Sequence, residues 1–216
     1  MAYPERAAFG APVAKAKLYE HSGATRRVRE LFAAQVERVT WQYKLAPETI
    51  QLGARPGVPE IQVFTVHLRG DALHTDVLRT VDRAVRFPVI FELIAEGRTQ
   101  VVAAFKRPSE AAKGEWVSSS YLKTPWLPSG GPRANMPVAL HLGGLYEALL
   151  ELLLPVPRRS AERLADVVDR AEHARLKRDE IEKLAARLAK EPQFNRKVEL
   201  NAALRQLNAE LEGLTR

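Results

Sequence analysis

The fold of this chain is decided by residues 87–106, Phe87-Pro-Val-Ile-Phe-Glu-Leu-Ile-Ala-Glu-Gly-Arg-Thr-Gln-Val-Val-Ala-Ala-Phe-Lys106. Two runs rich in β-branched and aromatic residues, 87–94 and 99–106, flank the short connection Ala95-Glu-Gly-Arg98. Such a connection predicts an antiparallel hairpin, because parallel strands need a much longer crossover. The sheet is therefore predicted to be at least partly antiparallel.

Upstream of the hairpin, residues 60–69 predict a well-buried strand, because polar and apolar residues alternate and both faces are largely apolar towards its end. Residues 76–85 predict a short helix. Residues 24–44 place apolar side chains at helical spacing and predict one amphipathic helix, with Ser22 as its N-cap. The face that packs inward is formed by Val28, Phe32, Gln35 or Val36, Val39 and Tyr43.

The flanking segments carry weaker signals. Residues 1–12 predict an irregular lead-in, and residues 13–20 leave a strand and a turn open. Pro47 disfavours helical geometry at Ala46 and should end the long helix. Glycines and prolines between residues 53 and 59 predict a loop.

Downstream, residues 115–122 predict another strand, residues 124–137 a loop and residues 140–154 a helix. The fold class is therefore α+β, with a mixed, partly antiparallel sheet covered by helices. Prolines in 155–160 predict a stiff linker, so that the α+β domain spans residues 1–157 and a helical tail spans 158–216.

The tail contains two helical runs separated by Pro192. In the first run, an a/d-type seam is approximated by Leu164, Val167, Ala171, Ala174, Ile181, Ala185 and Leu188, and is broken by Arg178. In the second run, a cleaner seam is formed by Leu200, Leu204, Leu207, Leu211 and Leu214. Because proline is tolerated in the first turn of a helix but not in its interior, the tail is predicted to be an antiparallel hairpin. The alternative is one kinked helix in an intermolecular coiled coil.

Composition excludes several classes of protein. The 216 residues include no cysteine, which excludes disulfides, thiol nucleophiles and thiolate metal sites. No run approaches the apolar length of a membrane span and no signal peptide is evident, so a cytoplasmic protein is expected. The net charge of +7 makes nucleic acid a plausible partner. The excess divides into +4 before Arg158 and +3 from Arg158 onward, and it therefore looks spread along the chain.

No catalytic signature stands out. The histidines lack metal-site spacing and no phosphate-binding glycine motif occurs, so neither a cofactor nor a metal is predicted. One alternative is a metal-dependent nuclease built on Glu60, Glu92 and Lys106, because carboxylates can hold Mg²⁺ beside a phosphate and a lysine can assist the attacking water. That pattern is incomplete, since Gln62 occupies the place where a lysine is usual.

A second group of residues suits contact with nucleic acid, because cations neutralise phosphates and aromatic rings stack on bases. Its members are Lys15, Lys17, Arg26, Arg27, Arg38, Trp41 and Lys44. A solvated surface and a core position for Trp41 explain the same residues, so both interpretations stand at this point.

Five strings together resemble the bacterial and archaeal family called domain of unknown function 4391. The strings are Lys17-Leu-Tyr-Glu20, Trp41-Gln-Tyr-Lys-Leu-Ala-Pro-Glu-Thr49, Glu60-Ile-Gln-Val-Phe64, Lys106-Arg-Pro108 and Gln193-Phe-Asn-Arg-Lys-Val-Glu-Leu-Asn201. Genes for proteins that look like this often lie beside those for a helicase and a DNA methyltransferase, in systems resembling restriction or phage defence. The resemblance implies an accessory subunit and transfers no catalytic residue.

Three functions are therefore expected as alternatives. The first is a non-catalytic accessory or adaptor subunit of a helicase or methyltransferase system, which docks its partner through the second leucine seam and approaches DNA through basic residues. The second is the nuclease subunit. The third is a homo-oligomer assembled through the C-terminal helices, with an unknown ligand.

Overall fold

The hairpin predicted from residues 87–106 is confirmed, and it lies within a larger sheet. The structure is a computed structural model that describes residues 1–109 and 115–216. In this part of the chain, one sheet is formed by β1 (Ala8–Pro12), β2 (Val36–Leu45), β3 (Ile61–Leu68), β4 (Val89–Ala95), β5 (Arg98–Pro108), β6 (Trp116–Lys123) and β7 (Leu127–Pro128). The fold class is α+β, as predicted.

Helices occupy most of the remaining described chain. A short 3-10 helix spans Glu5–Ala7. The α-helices are α1 (Lys15–Ser22), α2 (Arg26–Gln35), α3 (Pro47–Ile50), α4 (Thr75–Ala84), α5 (Leu142–Glu151), α6 (Leu164–Lys190) and α7 (Phe194–Thr215). The chain divides into two compact units, Met1–Leu153 and Leu154–Arg216. The predicted division after Pro157 lies within the first residues of the second unit.

The strands follow the order β1-β2-β3-β4-β5-β6, with β7 also paired to β5. Only β3 and β4 pair in parallel among the described strands, and α4 makes the crossover between them. The other pairs are antiparallel. The β4–β5 turn places Glu96 and Gly97 at φ 47° and 73°, because a two-residue hairpin turn of this hand needs left-handed backbone at both positions.

The sheet has a helical face and an opposite face. Phe64, Phe91 and Val102 are register partners on β3, β4 and β5, and they lie on the helical face. This face packs in one core cluster with α1, α2 and α4, through side chains such as Leu18, Phe32, Val77, Leu78 and Val81. On the opposite face, Phe105 packs against Tyr146 of α5. The Tyr146 hydroxyl donates to Ala104 O at 2.7 Å and accepts from Lys106 N at 2.9 Å.

The single helix predicted over residues 24–44 is wrong. Helix α2 ends at Gln35 and β2 begins at Val36, where the sequence turns to β-branched and aromatic residues such as Val36, Val39, Thr40, Trp41 and Tyr43. These residues pair with β1 on one side and β3 on the other, so that sheet pairing overrides the helical spacing. The predicted N-cap, Ser22, is the last residue of α1, and Thr25 caps α2 by accepting from Val28 N.

Three further expectations near the N-terminus are wrong. The lead-in 1–12 contains β1, the segment 13–20 is mostly α1 rather than strand or turn, and Pro47 begins the short helix α3. The extended backbone that Pro47 predicts at Ala46 is confirmed, with φ −141° and ψ 165°. Proline therefore separated two elements as expected, but it also supplied the first position of the next helix.

The second unit is the predicted antiparallel helical hairpin, with α6 and α7 separated at Pro192. The five predicted leucines of α7 are half-buried, whereas almost all the other residues of that helix are exposed. In α6 the predicted seam is wrong at one position, because Ala185 is exposed and Leu184 is half-buried instead. Arg178, where the predicted seam breaks, is itself half-buried.

Two arginines fasten the base of this hairpin to the last turn of α7. Arg170 donates to Glu162 through Nε and Nη2, to Pro157 O at 2.7 Å and to Leu214 O at 2.6 Å. Arg159 donates to Gly213 O at 2.6 Å and to Arg216 O at 3.0 Å. The last carbonyls of a helix have no partner within it, and cations satisfy them well.

Candidate functional site

The candidate site is the outer surface of the helices that cover the helical face of the sheet. We define the basic layer as residues 13–35 and 69–86, which include α1, α2 and α4. Helix α4 contacts both α1 and α2, so the three helices form one layer. Its inner side belongs to the core, and its outer side is exposed to solvent.

A buried lysine holds α4 against the sheet. The Lys106 amine comes from β5 and donates to Asp82 O at 2.5 Å and to Val85 O, two carbonyls at the end of α4. It also lies 5.8 Å from the centre of the Trp116 ring. Lys106 is only 2% exposed, so water does not satisfy this helix end. The lysine therefore acts as a C-terminal cap delivered by a neighbouring strand.

Lys15 does the same for α2. Its amine donates to Phe32 O at 3.3 Å and to Val36 O at 2.5 Å, at the C-terminus of that helix. Burial lowers the pKa of this amine, and the nearby Arg69 charge lowers it further. Two helices of the basic layer, α2 and α4, thus each end on a lysine from another element.

The Lys106 site also contains a buried carboxylate. Asp82 is 6% exposed, lies 3.9 Å from the Lys106 amine and accepts a hydrogen bond from the Tyr121 hydroxyl. Burial raises the pKa of the Asp82 carboxyl to about 6, and the Tyr121 and Lys106 contacts only partly oppose this. Burial also lowers the pKa of Lys106, with Asp82 opposing. Because every partner here is internal, the cluster is a structural one.

The basic layer carries all the net charge of the first unit. It contains nine Lys or Arg against five Asp or Glu, whereas the rest of Met1–Leu153 contains ten of each. Eight of the nine cations are exposed: Lys17, Arg26, Arg27, Arg29, Arg69, Arg79, Arg83 and Arg86. The expectation of an evenly spread excess is wrong for this unit, because the fold brings together two segments that β2 and β3 separate in sequence.

Some of these cations are already paired with acids on the layer. Arg26 pairs with Glu30 at 2.9 Å and Arg79 with Asp76 at 3.2 Å, both at the surface, where such pairs contribute little stability. Arg29 lies over the Tyr19 ring at 5.5 Å. Within the described residues, the exposed cations of the layer that make no ion pair and contact no aromatic ring are Lys17, Arg27, Arg69, Arg83 and Arg86.

The structure divides the residues predicted to contact nucleic acid. Lys17, Arg26 and Arg27 lie exposed on the basic layer. Lys15 is occupied in capping α2, and Trp41 is half-buried against Phe9 and Phe64.

The two remaining residues of that prediction, Arg38 and Lys44, lie on β2 and outside the basic layer. Lys44 pairs with Glu48 at 2.6 Å and lies 3.6 Å from Glu60, in an acidic setting. Arg38 lies beside His67 on the opposite face of the sheet. The sequence analysis did not select four exposed arginines of the layer, namely Arg69, Arg79, Arg83 and Arg86. Two of them, Arg79 and Arg83, lie at i,i+4 spacing on the polar side of the helix predicted over residues 76–85.

The three residues of the nuclease alternative are not brought together. Glu92 lies on the opposite face, where its carboxylate is 3.6 Å from both the Met1 amine and Arg133. Lys106 points to the helical face and caps α4. Glu60 lies at the start of β3 with Lys44 and Gln62. The described residues also contain no group of three or more His, Asp or Glu side chains placed to hold a metal ion.

The leucines predicted to bind a partner, Leu200, Leu204, Leu207, Leu211 and Leu214, line the side of α7 that faces α6. They are half-buried by the hairpin itself. A shallow groove beside them is lined by His173, Leu176, Lys177, Glu180, Glu210 and Leu214, and the Lys177–Glu210 pair crosses it at 2.7 Å. No helix in the described chain has the length and apolarity needed to cross a membrane.

Fold and site together define an α+β protein with a charged helical layer and a helical hairpin. Comparison with protein families matches residues 1–211 to the family described as Domain of unknown function (DUF4391), and the chain belongs to that family. A search of curated proteins and a search of solved structures each found no match. The resemblance inferred from the five strings is therefore confirmed.

The buried Asp82 predicts a pH-dependent stability. Its pKa is higher in the folded chain than the ordinary value of 3.8, so its stabilising contribution is complete below about pH 4 and is lost as the pH rises through about 6. A shift of roughly two pKa units corresponds to about 3 kcal/mol. We expect the free energy of unfolding of the wild type, relative to Asp82→Asn, to fall by up to that amount between about pH 4 and pH 7.

Urea unfolding of both proteins at the two pH values measures this difference. Asp71→Asn, at an exposed position of the basic layer, controls for the change in net charge. An equal pH dependence in the Asp82 and Asp71 variants would contradict the assignment.

Proposed function

We propose that this protein is a non-catalytic accessory subunit that binds nucleic acid through the basic layer. The observation that carries the proposal is the confinement of the first unit's net positive charge to this one surface. Clustered cations attract phosphates and release their counterions, whereas the same charges spread evenly serve mainly solubility. The partner system, a DNA helicase or methyltransferase, is what the resemblance to the family implies.

The support is electrostatic, and it predicts binding to the phosphate backbone rather than reading of sequence. Arginines on one exposed surface can each contact a phosphate as the duplex or strand lies across them. Lys15 and Lys106 are turned inward to cap helices, whereas Lys17 and seven arginines of the layer are exposed. The nuclease alternative loses support, since Glu60, Glu92 and Lys106 have separate partners.

Replacing three exposed cations of the basic layer should weaken binding and its salt dependence. In Lys17→Ala/Arg27→Ala/Arg83→Ala, the slope of log K against log salt for a duplex should shrink by about 3, because each lost phosphate contact removes close to one counterion. We expect affinity at low salt to fall at least about tenfold. Fluorescence anisotropy with a labelled oligonucleotide, titrated at several salt concentrations, measures both quantities.

The matched control is Arg6→Ala/Arg38→Ala/Arg55→Ala, which removes the same charge from exposed positions outside the layer. It should bind almost as the wild type does. Equal weakening by the two triple variants would mean that net charge alone, and not the basic layer, produces binding.

The accessory role predicts a stable complex with the helicase or methyltransferase encoded beside the gene. Affinity-tagged full-length protein should retain at least one of them through purification in high salt, where binding mediated only by nucleic acid is lost. Nuclease treatment before capture gives a second control for bridging by DNA. If neither enzyme is recovered, the proposed protein partner is contradicted. Binding of nucleic acid by the basic layer is not affected by that result.

A further inference from the structure

The outer edge of β6 is an open sheet edge. Strand β6 is last in the sheet order, and within the described residues no strand pairs with its outer side. The edge runs for eight residues, Trp116–Lys123, without proline or glycine. Open edges of this length are templates for pairing with another strand.

The other edge of the sheet is protected, which sets β6 apart. Strand β1 has only five residues, contains Gly10 at φ 64°, ends at Pro12 and changes register against β2. Short length, proline and irregular register are the devices by which proteins block edge pairing. Strand β6 has one such device, a bulge at Ser119 and Ser120, which together lie opposite Phe105.

Hydrogen bonds to β5 show which groups of β6 point outward. Ser109 N donates to Glu115 O at 2.8 Å, and Thr124 N donates to Val101 O at 3.0 Å, so both ends of the ladder are fixed. Alternate residues of an antiparallel strand bond to the same neighbour. Glu115 and Thr124 bond to β5, so alternation from each of them places the backbone groups of their neighbours on the open edge. The residues whose backbone N–H and C=O groups face the open edge are therefore Trp116, Ser118, Tyr121 and Lys123.

These outward groups are self-complementary. If a second β6 lies antiparallel, with the twofold axis between Ser119 and Ser120, Ser118 meets Tyr121 and Trp116 meets Lys123 of the other copy. All four positions are outward-facing, so both pairs can exchange backbone hydrogen bonds. The remaining pairs in this register are Val117 with Leu122 and Ser119 with Ser120.

The bulge makes the side chains agree as well. Trp116 and Tyr121 lie on the helical face, as their contacts with Lys106 and Asp82 show. They are five positions apart, and regular alternation would place them on opposite faces. The extra residue at Ser119–Ser120 shifts the alternation of side chains by one position, so that Trp116 and Tyr121 face the same side of the sheet. Paired residues therefore share a face, with the Lys123 ammonium beside the Trp116 ring and Val117 beside Leu122.

We propose that two copies of this chain associate through antiparallel pairing of their β6 edges, which joins their sheets into one. The copies would then present the same face on the same side. If the proposed function holds, the two basic layers lie side by side and offer a nucleic acid twice the cationic surface. The pairing itself rests only on the strand geometry and stands without that function.

A single cysteine tests the register directly, because the chain contains none. Ser120 lies next to the proposed axis, so Ser120→Cys should form a disulfide-linked dimer under mild oxidation. Ser129→Cys, at an exposed loop position, is the matched control and should remain monomeric on a non-reducing gel. Sedimentation velocity of the full wild-type chain should show a species of twice the 24.1 kDa chain mass.

A charge placed in the edge should separate the copies. Val117 is 44% exposed, so Val117→Lys should fold normally but be monomeric at concentrations where the wild type is dimeric. Val138→Lys, at a position 99% exposed, should leave the dimer unchanged. A monomeric wild type at all concentrations, or a dimer that neither crosslinks through Ser120→Cys nor dissociates with Val117→Lys, would overturn the proposal. Loss of nucleic-acid binding with an intact dimer would instead count against the proposed function alone.

Discussion

The C-terminus of α4 is held by an amine that belongs to a strand, and the arrangement of the first unit depends on that contact. The parallel pairing of β3 and β4 requires a crossover, and α4 is the helix that makes it. Its last carbonyls are buried beside the sheet, where an unsatisfied polar group is costly. Lys106 satisfies two of them from β5, and Asp82 and Tyr121 complete a closed set of polar contacts around it.

The same solution recurs at other helix ends. Lys15 reaches the C-terminus of α2, and Arg159 and Arg170 reach the last turn of α7 in the second unit. Cations near a helix C-terminus are favoured by the unpaired carbonyls and by the helix dipole. The basic composition of the chain thus serves two separate purposes. A few cations join elements together, and exposed arginines of the basic layer remain available to a ligand.

This division explains why sequence reasoning succeeded for parts of the fold and failed for much of the site. The β4–β5 hairpin, β3, α4 and the helical hairpin were predictable because each has a strong local pattern or a proline at its boundary. The helix predicted through residues 24–44 failed because Val36, Val39 and Tyr43 satisfy a helical period by coincidence and pair as strand residues. Whether these residues form a helix or a strand is decided by their pairing with β1 and β3, which lie elsewhere in the sequence.

The candidate site was harder to predict because it depends on which cations turn inward. Lys15 and Lys17 are equivalent in the sequence, yet the first caps a helix and the second is exposed. Lys106 entered the nuclease alternative because a lysine can assist an attacking water, whereas its capping role depends on two carbonyls that lie 24 and 21 residues away in sequence. The charge of the basic layer could not be summed before the fold placed residues 13–35 beside residues 69–86.

Native-state hydrogen exchange on Lys106→Met tests most directly whether this lysine holds the basic layer in place. Met keeps most of the apolar volume and removes the charged donor, so the Asp82 and Val85 carbonyls lose their cap. We predict that the amides of α4 lose protection by about tenfold or more while those of β3 and β4 remain protected, since local opening is governed by local contacts. Lys123→Met, at an exposed position, should leave both sets unchanged. Full protection of α4 in Lys106→Met would contradict the account.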